Sequence, residues 1–138
     1  MSDLNLKFQV ECKETKLGEE VYIVGNSNEL GNWNVNNSKK LSTDSNLFPL
    51  WESNPISFKS KSQLEYKYII KSSSNNVKWE NFDGNRLLNL STLNNNTTYL
   101  INDGKYSDKS RQKINKSNET HFLLSKCNFL LNGKSSNQ

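Results

Sequence analysis

The feature that most constrains the fold is a series of short runs in which apolar and polar residues alternate. The clearest run spans residues 64–71, where alternate apolar side chains would point to one face of an extended strand. Similar apolar, β-branched or aromatic runs occur at 7–12, 20–24, 56–58, 77–80, 86–90 and 97–101. Asn, Ser, Gly and Pro separate the runs, as expected of turns. About seven short strands without a helical period predict an all-β fold, an immunoglobulin-like antiparallel β-sandwich, with a seven-stranded barrel as the competing geometry.

Charge divides the chain into two parts. Met1–Gly104 contains 11 Lys and Arg residues against 12 Asp and Glu residues, whereas residues 105–138 contain 7 against 2. The first part is nearly neutral and lacks the basic stripe that nucleic-acid binding requires, so no nucleic-acid partner is expected. An apolar fraction of only 33 % permits partial disorder. We therefore predict one β-sandwich domain at 1–104 and a basic, partly disordered tail at 105–138.

The predicted tail has two parts of different character. Residues 107–118 are mostly Lys, Ser and Asn, which is typical of a linker. Residues 121–131 form an amphipathic segment, because five of their side chains would share one face of a helix. Those five residues are Leu123, Leu124, Cys127, Leu130 and Leu131. The segment either docks on the sandwich or binds a partner protein.

The cysteine content and the first residues predict a cytoplasmic protein. Two cysteines do not make a disulfide scaffold. Met1–Asn5 lacks the basic and then apolar layout of a secretory signal. No stretch reaches the roughly 18 apolar residues of a membrane helix, so no membrane span is expected.

The residues that catalysis needs are scarce or badly spaced. The single histidine, His121, lies in the tail, and no Gly-rich phosphate-binding loop is present. Cys127 is followed six positions later by Gly133, where a phosphatase-type loop needs an arginine. Glu80 and Asp83 share one short loop, whereas the two carboxylates of a glycosidase flank the scissile bond. We therefore predict no catalytic residue, no enzyme activity, no metal site and no cofactor.

Four motifs occur in an order that points to a known family. The first is Gly18–Trp33, in which a strand ends in Val-Gly and is followed by a turn and by Leu-Gly-x-Trp. The others follow along the chain: Phe48–Trp51, Glu65–Tyr68 and Val77–Glu80, with Asn85–Arg86 close behind. From about residue 8 to about residue 101, the chain closely resembles the starch-binding domains, the family 20 carbohydrate-binding modules. The resemblance implies non-catalytic binding of α-1,4-glucans.

The chemistry of glucose agrees with the site that the resemblance implies. Glucose has a flat face of C–H groups and a rim of hydroxyls, so its binding needs exposed aromatic planes and a few polar groups. By resemblance, Trp33 and Trp79 are the stacking platforms, and Lys67, Glu80 and Asn85 bind the sugar hydroxyls. Two tryptophan planes at an angle suit the curl of an α-1,4-glucan. The implied partners are starch, glycogen or maltooligosaccharides, and also a glucan-active enzyme.

A second sugar site, usual in the family, is predicted to be weakened or absent. The family usually has a Tyr just before Gly-Glu, and another aromatic residue ahead of Pro-Leu-Trp. Here those places hold Leu17 and the polar run 44–46. Trp51, Phe48 and Asp44 remain as the possible second site.

The loop that follows Trp79 also departs from the family. It is one residue longer than usual before Asn85, and Gly84 stands where the family often has Pro. Glycine permits more backbone conformations than proline, which predicts a more flexible loop and less secure placement of Glu80 and Asn85.

A protein-interaction role is the alternative hypothesis. In this case the sugar site has decayed, and a partner protein binds the C-terminal segment. The two tryptophans with Lys67 favour sugar binding, whereas the missing second-site aromatics and the apolar segment favour a protein partner.

Overall fold

The computed structural model describes residues 3–117, which form ten strands and three short 3-10 helices. The strands are β1 (Leu4–Glu11), β2 (Glu19–Gly25), β3 (Lys39–Lys40), β4 (Leu50–Glu52), β5 (Ile56–Phe58), β6 (Gln63–Ser72), β7 (Val77–Trp79), β8 (Arg86–Asn89), β9 (Thr98–Lys105) and β10 (Lys113–Ser117). The helices are Asn28–Trp33, Val35–Asn37 and Leu90–Thr92. No helix in this part of the chain is long and apolar enough to cross a membrane.

The strands form two five-stranded sheets. In the first sheet the order is β10-β9-β1-β4, and β5 also pairs with β1. In the second sheet the order is β3-β2-β6-β7, and β8 also pairs with β6. The pairs are antiparallel except for β1 and β9, which run parallel. The long strands β1 and β6 therefore organise the two sheets.

The core lies between the two sheets because alternate residues of β1 and β6 are apolar. Phe8 of β1 packs edge-on against Phe58, with ring centroids 6.3 Å apart, and against Tyr66 of β6 at 5.4 Å. Residues of β6 between the inward-facing ones, such as Lys67 and Ile69, point to the opposite face of the sheet. This outer face of the second sheet positions the site described below.

The predicted all-β sandwich is confirmed, and each of the seven predicted strands corresponds to an observed one. Two separate sheets exclude the competing barrel for the described chain. The additional strands β3 and β4 contain two and three residues, respectively.

The described β-fold extends past the predicted boundary at residue 104. β9 ends at Lys105, and β10 pairs with β9 in register from Lys113↔Asn102 to Ser117↔Thr98. The linker predicted for 107–118 therefore includes a strand, because backbone hydrogen bonds between strands do not require apolar side chains. The tail predicted for 105–138 is corrected in this part. The amphipathic segment 121–131 lies outside the described residues.

Candidate functional site

Trp79 lies on the outer face of the second sheet. In the antiparallel pairing of β6 with β7, Trp79 is opposite Ile69. Directly opposed residues share a face, and Ile69 alternates with the inward-facing Tyr68 and Ile70. Trp79 is consequently directed away from the core and is 40 % exposed.

Trp33 reaches the same face from a tight loop. Gly31, Asn32 and Trp33 all have positive φ angles, of 83°, 51° and 64°. A Cβ atom on Gly31 would lie 2.6 Å from the backbone oxygen of Asn37, so only glycine fits this position. The Ser27 hydroxyl accepts a hydrogen bond from the Leu30 amide at the start of the loop.

The two tryptophan rings form a tilted pair. Their centroids are 6.3 Å apart, and their planes make an angle of 39°. Trp33 is half-buried and Trp79 is exposed, so part of each ring remains available to a ligand. The structure thus brings together the two residues that the sequence predicts as stacking platforms.

Lys71 and Tyr22 connect the loop that contains Trp33 to the sheet. Neither role was predicted from the sequence. The Lys71 ammonium donates to the backbone oxygen of Val35 at 3.0 Å and lies 4.1 Å from the centroid of the Tyr22 ring. Tyr22 is half-buried. Its place between the core residues Val21 and Ile23 was the available sign that it faces outward.

Lys67 lies one outward position before Ile69 on β6. Its ammonium donates to the backbone oxygens of Phe82 at 3.1 Å and Glu80 at 3.5 Å, and it lies 4.7 Å from the centroid of the Phe82 ring. These two bonds use two of the three donors of the ammonium group. Lys67 therefore holds the loop after Trp79.

Asn85 ends the same loop. Its side-chain amide donates to the Glu65 carboxylate at 3.1 Å. Because an amide side chain has both donors and an acceptor, its oxygen remains available. Asn85 is half-buried, which is compatible with a position at the edge of a sugar site.

The side chain of Glu80, which the sequence predicts to bind sugar hydroxyls, does not reach the exposed surface of the site. Glu80 is only 3 % exposed. Its carboxylate accepts from Arg86 at 2.9 and 2.6 Å, from the Tyr68 amide at 2.9 Å and from the Ser107 amide at 2.7 Å. Four protein donors saturate the carboxylate, which instead fixes the backbone immediately after Trp79.

A buried polar cluster supports this end of the sheet. The Asp103 carboxylate accepts from the hydroxyls of Tyr66 and Tyr68, with closest distances of 2.9 and 2.7 Å. Burial raises the pKa of Asp103 above its usual value, although Arg86 and the tyrosines oppose the shift. Burial and the Asp103 charge also raise the pKa of both tyrosines, so both hydroxyls remain protonated donors at neutral pH.

The possible second site does not form a stacking surface with Trp51. Trp51 is 5 % exposed, and its indole N–H donates to the Cys12 backbone oxygen at 3.2 Å. Trp51, predicted as part of a possible second site, therefore presents no exposed ring face for stacking. Phe48 is 47 % exposed, whereas the Asp44 carboxylate caps its own turn by accepting from the amides of residues 46 and 47.

A tilted pair of tryptophans on the outer face of a two-sheet sandwich is typical of a carbohydrate-binding module, a class that is usually non-catalytic. The matching family is described as the starch binding domain, CBM_20, and its profile covers residues 3–100. The chain belongs to this family.

Individual relatives support the same family assignment. A cyclomaltodextrin glucanotransferase from Bacillus sp. (strain 1-1) is 34 % identical over 103 residues, which is 73 % of this chain and 14 % of that enzyme. The crystal structure of gamma-CGTase from alkalophilic Bacillus clarkii aligns with a TM-score of 0.64 and 29 % identity over 77 % of this chain and 15 % of that one.

One of the matching solved structures contains a binding module alone. The family 20 CBM of the maltotetraose-forming amylase from Pseudomonas saccharophila STB07 aligns with a TM-score of 0.54 and 26 % identity. The alignment covers 74 % of this chain and 99 % of that structure. The chain thus corresponds to a whole binding module, but to a small share of the length of the enzymes it matches.

Proposed function

We propose that this domain binds α-1,4-linked glucans on its surface by stacking sugar rings on Trp33 and Trp79. The supporting observation is the 39° tilt between two partly exposed rings whose centroids are 6.3 Å apart. Successive glucose units of an α-1,4-glucan turn relative to each other, so two tilted planes can each face one unit. The apolar face of each sugar then leaves water against an indole ring.

Lys67 and Asn85 supply the polar part of the proposed site. The third donor of the Lys67 ammonium and the amide oxygen of Asn85 are available to sugar hydroxyls. An open site of this kind binds short oligosaccharides with an affinity between micromolar and millimolar, equivalent to roughly −8 to −4 kcal/mol. The domain in this proposal holds the polymer and does not cleave it.

The proposed polymer is starch or glycogen, and the proposed partner is a glucan-active enzyme. Support comes from the relatives, because the matched region is 14 % of a cyclomaltodextrin glucanotransferase. A binding module increases the effective concentration of polymer near a catalytic site, whether the two are linked or associated.

We further propose that the domain acts in the cytoplasm. The buried free thiol of Cys12 is compatible with a reducing compartment. Exposed Asn-x-Ser/Thr sequences at Asn36, Asn89 and Asn96 provide a test. Protein isolated from its native cells should show no mass change on treatment with an N-glycosidase. A loss of glycan mass would indicate a secreted protein.

Co-sedimentation with insoluble starch tests the binding proposal. The wild-type chain should pellet with starch and stay in solution with cellulose, and the double variant Trp33→Ala/Trp79→Ala should stay in solution with both. Removing one stacked ring costs roughly 1–3 kcal/mol, by analogy with bases stacked on aromatic side chains, so removing both abolishes detectable binding.

A matched control separates loss of the platform from loss of folding. Trp51→Phe changes the third tryptophan, which is buried, and should pellet with starch like the wild type. Wild-type protein that remains in the supernatant would contradict the proposed function and favour the protein-interaction hypothesis.

A further inference from the structure

Residues 105–112, which lie beyond the family match at residue 100, pack against the loop between Trp79 and Arg86. The Ser107 hydroxyl accepts from the Asn81 amide at 2.9 Å. The Lys109 ammonium donates to the Asp83 backbone oxygen at 2.5 Å. The segment thus contacts the backbone of the loop at two separate points.

The Phe82 ring adds a third contact between this segment and the site. The ammonium of Lys109 lies 5.1 Å from the ring centroid, and that of Lys67 lies 4.7 Å from it. Attraction between a cation and the face of an aromatic ring stabilises such arrangements. Phe82 therefore links Lys109 of the additional segment to Lys67 of the proposed sugar site.

The base of the loop is held by the same segment. The Ser107 amide donates to the Glu80 carboxylate at 2.7 Å. One terminal nitrogen of Arg86 donates to the backbone oxygens of Lys105 at 3.0 Å and Asp108 at 3.3 Å. These bonds fix both ends of the loop, because Glu80 follows Trp79 directly and Arg86 follows Asn85.

The side chains of the loop itself do little to fix its conformation. Asn81, Asp83 and Gly84 are exposed, and Gly84 has a φ angle of 73°. The sequence predicts a flexible loop because Gly84 stands where the family often has Pro and the loop is one residue longer than usual. Its backbone is instead bonded to Lys67 on one side and to Ser107 and Lys109 on the other.

We propose that residues 105–112 position the glucan site, with Lys109 and Ser107 holding the loop that Lys67 contacts and that ends at Asn85. This inference rests on the proposed function. A loop already held in its binding conformation loses less conformational entropy on binding, so the segment increases affinity without touching the sugar. Lys109 and Ser107 are positioning residues, and the binding module continues past the family match.

Titration of the full chain with maltoheptaose, followed by tryptophan fluorescence, tests the proposal. Lys109→Met keeps the length of the side chain but removes the donor and the charge, and should weaken binding by about threefold to tenfold. Lys109→Arg should restore most of the affinity, because arginine can donate to Asp83 and stack on Phe82. Lys113→Met, on the exposed strand β10, is the matched control and should bind like the wild type.

Amide hydrogen exchange without sugar gives an independent measurement. Lys109→Met and Ser107→Gly should exchange faster at residues 81–85 while their urea unfolding midpoints stay close to that of the wild type. Glycine is chosen because Ser107 has a φ angle of 65°, which glycine adopts without strain. Ser110→Gly, on the same segment, is the control for the backbone flexibility that a glycine adds.

The outcomes distinguish this inference from the proposed function. If wild-type protein does not respond to maltoheptaose, the proposed function fails, whatever the exchange data show. If the wild type binds and Lys109→Met binds equally well, the positioning role is wrong. Unchanged exchange at residues 81–85 in both variants would also overturn it.

Discussion

The outer-face region around Trp33 and Trp79 and the region around Trp51 differ in how they orient tryptophan. Trp79 is 40 % exposed and faces Trp33, whereas Trp51 is 5 % exposed and bonds to the Cys12 backbone. All three belong to motifs of the same family, so the motif alone does not separate a platform from a core residue.

Strand register explains the difference. Trp79 pairs with Ile69 on the outward side of β6, whereas Trp51 pairs with Val10, a core residue of β1. A one-residue change of register would exchange the two faces. Strand pairing, rather than the residue type, therefore decides which tryptophan is exposed at the surface.

Replacing the buried Trp51 should have the largest effect, and that effect is on the stability of the fold. Trp51→Ala leaves a cavity in the core and should lower the free energy of unfolding by about 3–5 kcal/mol. The affinity of the remaining folded protein for maltoheptaose should not change. Urea unfolding and a titration at low temperature measure the two quantities. A weaker affinity at unchanged stability would place Trp51 in a working site.

The converse variant at the exposed tryptophan should affect binding more than folding. Trp79→Ala should weaken maltoheptaose binding by roughly 1–3 kcal/mol, and its unfolding free energy should change by less than about 1 kcal/mol. Trp79→Phe keeps an aromatic plane and should lose less affinity, which isothermal titration calorimetry can measure. Equal affinities for the wild type and Trp79→Ala would refute the stacking role.

A smaller effect is expected from restoring an aromatic residue in the second region. Leu17 is fully exposed, so Leu17→Tyr adds a surface ring without disturbing the core. A second weak contact on the same polymer should raise the apparent affinity for insoluble starch by about twofold to fivefold. Binding of maltotriose should stay the same. Leu17→Ser is the control, and a gain in that variant would exclude an aromatic contact as the cause.

The smallest expected effect concerns the rate at which the buried Cys12 thiol is alkylated. Burial raises the pKa of the Cys12 thiol to about 11, from an ordinary value of 9.0. At pH 8 this leaves about 100-fold less of the reactive thiolate, so alkylation should be slow until urea unfolds the protein. A Cys127→Ser variant isolates the signal of Cys12. Rapid alkylation of native protein would mean that the region around Trp51 opens readily.

Local patterns predicted much of the fold and part of the site. Alternation in residues 64–71 located β6, and the Leu-Gly-x-Trp motif identified Trp33 as a residue outside any strand. The same alternation puts Lys67, between Tyr66 and Tyr68, on the outer face of the sheet. These features depend on neighbouring residues in the chain, so sequence reasoning reached them.

Contacts between residues that are distant in the sequence were not predicted. Glu80 is a plausible sugar ligand from its position beside Trp79, but its carboxylate is buried against Arg86 and Ser107. The contribution of Lys109 was also missed, because the composition of residues 107–118 is that of a linker. Backbone acceptors, such as the Asp83 oxygen that Lys109 contacts, leave no mark in a sequence.

The strand pattern, the family and the two tryptophans of the proposed platform can be read from the amino-acid sequence alone. Strand pairing and sheet packing, in contrast, bury Trp51 and Glu80 and bring residues past 104 into the sheet and against the loop after Trp79. Alternation is a property of one strand, whereas burial and hydrogen-bond saturation arise when strands pair and sheets pack.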